Sequence, residues 1–352
     1  MAIDIFKWRS MTDAVNQVTT VPSGLVDLVA GNNIKRHNSN VFDFEIVSGD
    51  DTIAKVVGKN GTANEVTKKT RTLKGVTLPS TYEKTSFNAK QIAELRGDLG
   101  GVLVGSAADV AAAANKNILS ELLTLKNRVT RLRGLSIAQQ LSTGLISLPT
   151  VDGETFEIDF SFTSGTHKDT VASGYEWNGG TSSDIIADFR NGVRKVSDRG
   201  DYSTIIAIAG RNAFDAFAAD AAVQKAFDTN NYKVGSLVMD NGLGNKVLKP
   251  RGIFEGVPVY EYSQKYKDAS GTTQDMWDAD VITFYGMNAN TQTHYGPIYR
   301  FDSNNGSLMV ANEMLLYPVV NDEKTLLTWY LEQCSLTVAH DLNSIYAYTA
   351  CL

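Results

Sequence analysis

The four histidines, His37, His167, His294 and His340, are the side chains best suited to hold a metal or move a proton near neutral pH. Their spacing fits neither task. Two histidines on one helix face would need H-E-x-x-H, and a thiol site would need C-x-x-C; neither occurs. Cys334 and Cys351 are the only thiols, too few for a disulfide framework, and a reduced, cytoplasmic setting is expected. Gly97, Gly100, Gly101 and Gly105 lie close together but form neither a P-loop nor a G-x-G-x-x-G turn, so a structural hinge is expected there before a phosphate cradle. No G-x-S-x-G elbow occurs. A Ser–His–Asp triad is defined by geometry and not by spacing, so an unrecognised hydrolase stays open as an alternative. No catalytic residue, metal site or cofactor site is assigned.

Charge offers a different chemistry. Lys55, Lys59, Lys68, Lys69, Arg71 and Lys74 outnumber Asp50, Asp51 and Glu65 in one stretch. These cations could read phosphate, but they fit better as mates for an acidic surface on a neighbouring chain, where charge sets register and partner choice. The carboxylates of Asp50, Asp51, Asp278 and Asp280 lie in turn-like contexts and are expected to be solvated. Trp8, Trp177, Trp277 and Trp329 could anchor an interface, although a single Trp is more often a core residue.

The basic stretch sits in a strand pattern. Phe42, Phe44 and Ile46 alternate with Asp43 and Glu45, and Gly58-Lys59-Asn60-Gly61 marks a turn between runs 53–57 and 66–78. Residues 45–90 therefore read as one long hairpin. Such a hairpin is marginal alone in water, so its own domain or a neighbour must cover it. Residues 1–40 are polar and irregular and read as an arm. Ser106 can cap a helix over 107–141, with Ile118, Leu122, Leu125, Val129 and Leu132 as its stripe. That helix would be roughly 50 Å long, unless it is a coiled-coil segment or breaks at Gly134. Asp152-Gly153 is a hairpin turn, and Phe156, Ile158, Phe160 and Phe162 alternate after it. Helices over 184–197 and 212–227 flank a strand at 204–209. Strands follow at 257–262, 281–285, 326–329, 331–338 and 344–348, which makes the far half α+β.

At 352 residues the chain can bury a sizeable core and suggests about two domains. A net charge of −6 argues against general affinity for nucleic acid, because phosphate neutralisation needs clustered cations. No leader segment is expected from residues 1–9, and no apolar run is long enough for a membrane helix.

The order of parts resembles the tailed-phage major capsid fold of the Hong Kong 97 type, and individual segments resemble the phage lambda major capsid protein E family. Those segments are Glu176-Trp177 with Asp184-Ile185, then Ile205-Ile206-Ala207-Ile208, then Val223-Gln224-Lys225-Ala226-Phe227-Asp228-Thr229. Gly256-Val257-Pro258-Val259-Tyr260-Glu261-Tyr262 and His294-Tyr295-Gly296-Pro297-Ile298 follow, and 331–338 with 341–348 close the set, lacking the proline the family carries there. The likeness covers 170–350 by segment and 1–169 by order of elements. None of these motifs is catalytic, and none alone is specific.

The resemblance implies an N-terminal arm over 1–44, an extended loop over 45–95, a spine helix with peripheral-domain strands over 96–179, an axial domain over 180–330 and C-terminal strands over 331–352. It implies a non-enzymatic shell protein of the virion, assembled in the host cytoplasm as pentamers and hexamers around double-stranded DNA. Scaffold and portal proteins would be partners, with a decoration protein in some members. The six cations of the extended loop would touch an adjacent subunit. Gly97, Gly101, Gly105 and Gly134 are hinge candidates for shell expansion. An encapsulin-like compartment, which shares the fold but encloses an enzyme, is the runner-up.

Overall fold

A computed structural model describes residues 24–47, 71–88, 107–150, 154–180, 183–231, 248–268, 270–302, 306–321 and 326–352. The chain opens with a short helix α1 (Gly24–Val29) and strands β1 (Ile34–Arg36), β2 (Val41–Val47), β3 (Arg71–Thr77) and β4 (Ser80–Asn88). Helix α2 (Ala107–Thr143) leads into β5 (Leu145–Pro149), β6 (Thr155–Asp159) and β7 (Lys168–Thr170). Then come α3 (Ile185–Ser197), β8 (Ile205–Ala209), α4 (Arg211–Ala219) and α5 (Ala221–Asn231). Strands β9 (Leu248–Phe254), β10 (Val257–Tyr262), β11 (Lys265–Lys267), β12 (Thr273–Asp275), β13 (Val281–Gly286) and β14 (Thr291–Tyr295) follow. The last elements are β15 (Ile298–Phe301), β16 (Leu308–Ala311), β17 (Leu315–Val320), β18 (Leu326–Ala339), a 3-10 turn (Leu342–Ser344) and β19 (Ile345–Thr349).

Two sheets carry the molecule. One has the order β7-β19-β13-β8-β10-β9. It is buried on both faces, and strand alternation sorts the side chains. Ile206 and Ile208 of β8 enter one core, while Ala207 and Ala209 enter the other. That two-sided burial is why 205–209 is an unbroken apolar run. On the second face, α3 and α4 pack an aromatic cluster in which Phe189 and Phe217 meet Phe254 edge-to-face. Such edge contacts place the positive ring rim on a negative ring face. Helix α3 lies so close that a Cβ on Gly192 would sit 2.2 Å from the Phe284 ring, so only glycine allows this approach.

The other sheet is organised by β18, whose Leu326–Cys334 portion pairs with β4 and whose Ser335–Ala339 portion pairs with β14. On its other edge β17 pairs antiparallel over Leu327–Glu332. Helix α2 lies on this sheet through the expected stripe: Ile118, Leu122, Leu125 and Val129 pack against Leu316, Leu327, Trp329 and Leu331. Farther along, Leu135, Ser136, Ile137, Ala138, Gln140, Leu141 and Ser142 are all buried. The helix thus begins as a strut on the sheet and ends inside the main core. Its 37 residues span about 55 Å and run without a break through Gly134, so the two-helix alternative does not hold.

Several elements differ from the sequence expectation. The ribbon pairs β2 with β3 from Val41↔Thr77 to Val47↔Arg71, and β4 then leaves it for β18 instead of extending it. The two strand segments expected over 326–329 and 331–338 are one strand of 14 residues. The single helix expected over 212–227 is two, because Asp220 is extended and its carboxylate accepts from the Val223 amide at 2.8 Å, capping α5. Residues 1–40, expected to be irregular, hold α1, whose Leu25, Val26 and Val29 enter the main core, and β1, which pairs with β14. Asp184 caps α3 through the Ala187 amide, and β10 spans the expected residues.

Candidate functional site

The end of α2 is held by two consecutive glutamines that bond to two different strands. Gln140 is fully buried; its amide donates to the Ala339 carbonyl at 2.8 Å and its carbonyl accepts from the Ala339 amide at 2.8 Å. Gln139 does the same with Ser147 of β5, both bonds at 3.0 Å. Each side chain mimics a strand partner, satisfying an amide and a carbonyl where β18 and β5 pass the helix. Thr283 of β13 adds a bond to the Leu141 carbonyl at 3.1 Å. Helix and both sheets are therefore one joined frame. Sequence reasoning missed this device, since paired glutamines look like ordinary surface helix formers.

Three of the four histidines meet. His37 Nε2 lies 2.8 Å from His294 Nδ1, and His294 Nε2 lies 2.8 Å from His340 Nε2. They tie the segment after β1 through β14 to the end of β18. Burial first, then the nearby His340, His37 and Lys35 charges, push the His294 pKa down to about 3, so its ring is neutral at physiological pH. His294 turns opposite nitrogens to its neighbours, so the three rings do not converge on one point. Among the described residues, no group of three or more His, Cys, Asp or Glu is placed to hold a metal. Burial also pushes the Cys334 and Cys351 thiols up to about 11, away from nucleophilic reactivity.

A groove of about 1080 Å3 runs between α2, β4 and the β11–β12 ribbon. Arg128, Arg131, Lys265 and Lys267 line it along with Leu132, Leu135 and Met276. Arg128 pairs with Glu83 at 3.2 Å and Lys265 with Asp275 at 3.3 Å. Its lining contains no histidine or cysteine.

The residues singled out from sequence divide sharply. Lys55, Lys59, Lys68 and Lys69 lie outside the described residues, as do Gly97, Gly101, Gly105, the Ser106 cap and Trp8. Arg71 and Lys74 stand on β3 opposite Val47 and Phe44. Gly134 is helical and buried within α2. Trp177, Trp277 and Trp329 are buried core residues and not exposed anchors. His167 stays apart from the other three and tilts against Phe162.

Comparison with known proteins gives these features a context. No curated protein sequence matches the chain significantly. Among solved structures, a candidate capsid protein of an Escherichia coli CFT073 prophage is similar with a TM-score of 0.65 at 12% identity, over 98% of this chain and 99% of that one. A phage-related protein from Bordetella bronchiseptica RB50 is similar with a TM-score of 0.53 at 8% identity, over 97% and 96% of the two chains. The architecture is the Hong Kong 97-type α+β capsid fold. The model of the family described as phage major capsid protein E matches residues 7–349. A subunit braced as one frame, in a family whose work is structural, is a building block: this chain belongs to the phage major capsid protein E family and forms the shell of a phage head.

Proposed function

We propose that the shell encloses double-stranded DNA, that it is assembled from pentamers and hexamers in the host cytoplasm without any catalytic step by this chain, and that residues 45–95 reach over an adjacent subunit. The observation that carries this is the β2–β3 ribbon. Within the described residues these strands pair only with each other, while the ribbon's base is anchored by buried Val76 and Leu78. A two-stranded ribbon is marginal unless something covers it, and in a shell the covering surface is another copy. Lys55, Lys59, Lys68, Lys69, Arg71 and Lys74 would then steer the loop to an acidic neighbouring surface.

Scaffold and portal proteins, with or without a decoration protein, complete the set of partners. Domain roles follow the segment order: arm over 1–44, spine helix and peripheral strands over 96–179, axial domain over 180–330 and closing strands over 331–352. Expansion of such a shell needs two packings of one chain, and Gly97, Gly101, Gly105 and Gly134 are the hinges proposed for it. A net charge of −6 suits a container whose wall releases its DNA instead of gripping it.

The test is the content of particles from producing cells. Nuclease-treated particles are expected to protect double-stranded DNA. Shells that protect none, or that hold an enzyme instead, would contradict the reading.

A further inference from the structure

The β15–β16 ribbon breaks the alternation rule that a sheet facing water obeys. Its inner face is fixed to the body: Ile298 and Met309 are buried, and Arg300 donates to both carboxylate oxygens of Glu332 on β18, at 2.7 and 3.2 Å. Arg300 also lies over the Tyr82 ring at 5.2 Å. The outer face should then be polar. It is not: Tyr299 stands opposite Val310, Phe301 stands opposite Leu308, and all four are exposed, Phe301 to 75%. Four apolar side chains are thus held toward solvent on a clamped platform.

We infer that this outer face is covered by a second copy of the chain in the assembled shell. The inference rests on the shell-forming role of the family and adds a named contact surface to it. The face carries no charge, so it offers nothing to phosphate or to a strongly charged partner. Its size points the same way. A stable pair needs roughly 800 Å2 from each partner, and four side chains fall well short of that. Such a patch cannot hold two free subunits together, but it contributes once other contacts have raised the local concentration of its mate. Weak, linked contacts of this kind are what a shell uses, because each can still be undone while errors are corrected.

Val310→Cys places a thiol on this face, and the two native cysteines are buried, so background labelling is low. Maleimide labelling of the new thiol is expected to be about tenfold or more slower in shells than in free subunits. A photo-cross-linking amino acid at position 301 is expected to join two copies of this chain in shells. Labelling at equal rates, or cross-links to a different protein, would overturn the inference while leaving the shell-forming role intact. Absence of any particle from the unmodified chain would instead remove the role itself, and the inference with it. Should Val310→Cys block assembly, Tyr299→Cys reports on the same face.

Discussion

His294 gives both ring nitrogens to other histidines, and a neutral imidazole can do this only by donating from one and accepting at the other. A proton added to the line removes an acceptor inside a buried site, and burial with neighbouring positive charge holds the His294 pKa near 3 against 6.5 in an unfolded chain. The unfolded chain therefore binds the proton more readily. Stability from this site is complete above about pH 6.5 and is lost as pH falls from there toward 3, by up to about 1.4 kcal/mol per pH unit. His294→Gln is expected to lower stability at pH 7 but to flatten its decline between pH 7 and 5, read as urea midpoints at each pH. Parallel declines for both proteins would contradict the assignment. Nothing in the sequence pointed to this line, because its members are separated by 257 and 46 residues and are brought together only by the β1–β14 and β14–β18 pairings.

Among the elements, the passage from α2 to β5 is the most constrained. Gly144 turns the chain at φ +78, and a Cβ there would meet the Phe162 ring at 2.4 Å. Gly144→Ala carries two costs: about 1–2 kcal/mol for the left-handed backbone and about 1–3 kcal/mol for overpacking. Denaturant unfolding of the free subunit should show the sum. Adding Phe162→Leu should return part of the packing loss and none of the backbone loss; a Gly144→Ala variant as stable as the parent would show that the turn is not under this constraint. Periodicity made much of the element scale legible. The stripe Ile118, Leu122, Leu125 and Val129 gave α2, and the alternation of Phe156 and Ile158 gave β6. Partner choice was not legible. Strand β4 alternates Thr81, Glu83 and Thr85 with Tyr82, Lys84 and Ser86, polar on both faces, so its preference for β18 depends on a sheet edge that no local pattern describes. The α4–α5 break did leave a signal, since Asp220 inside an alanine-rich run is a capping residue before it is a helical one.

At the scale of the molecule, the family was legible because order and spacing of many weak segments survive where no single motif is specific. The central claim is that residues 45–95 find their covering surface on another subunit, and one replacement tests it. Exchanging residues 48–70 for a two-residue Asn-Gly turn keeps the β2–β3 ladder and removes its extension. Electron microscopy of the purified variant, beside its circular dichroism and unfolding midpoint, is the measurement. A subunit that folds with the parent's stability and forms no closed particles is the predicted result. Normal shells from the shortened chain would contradict it.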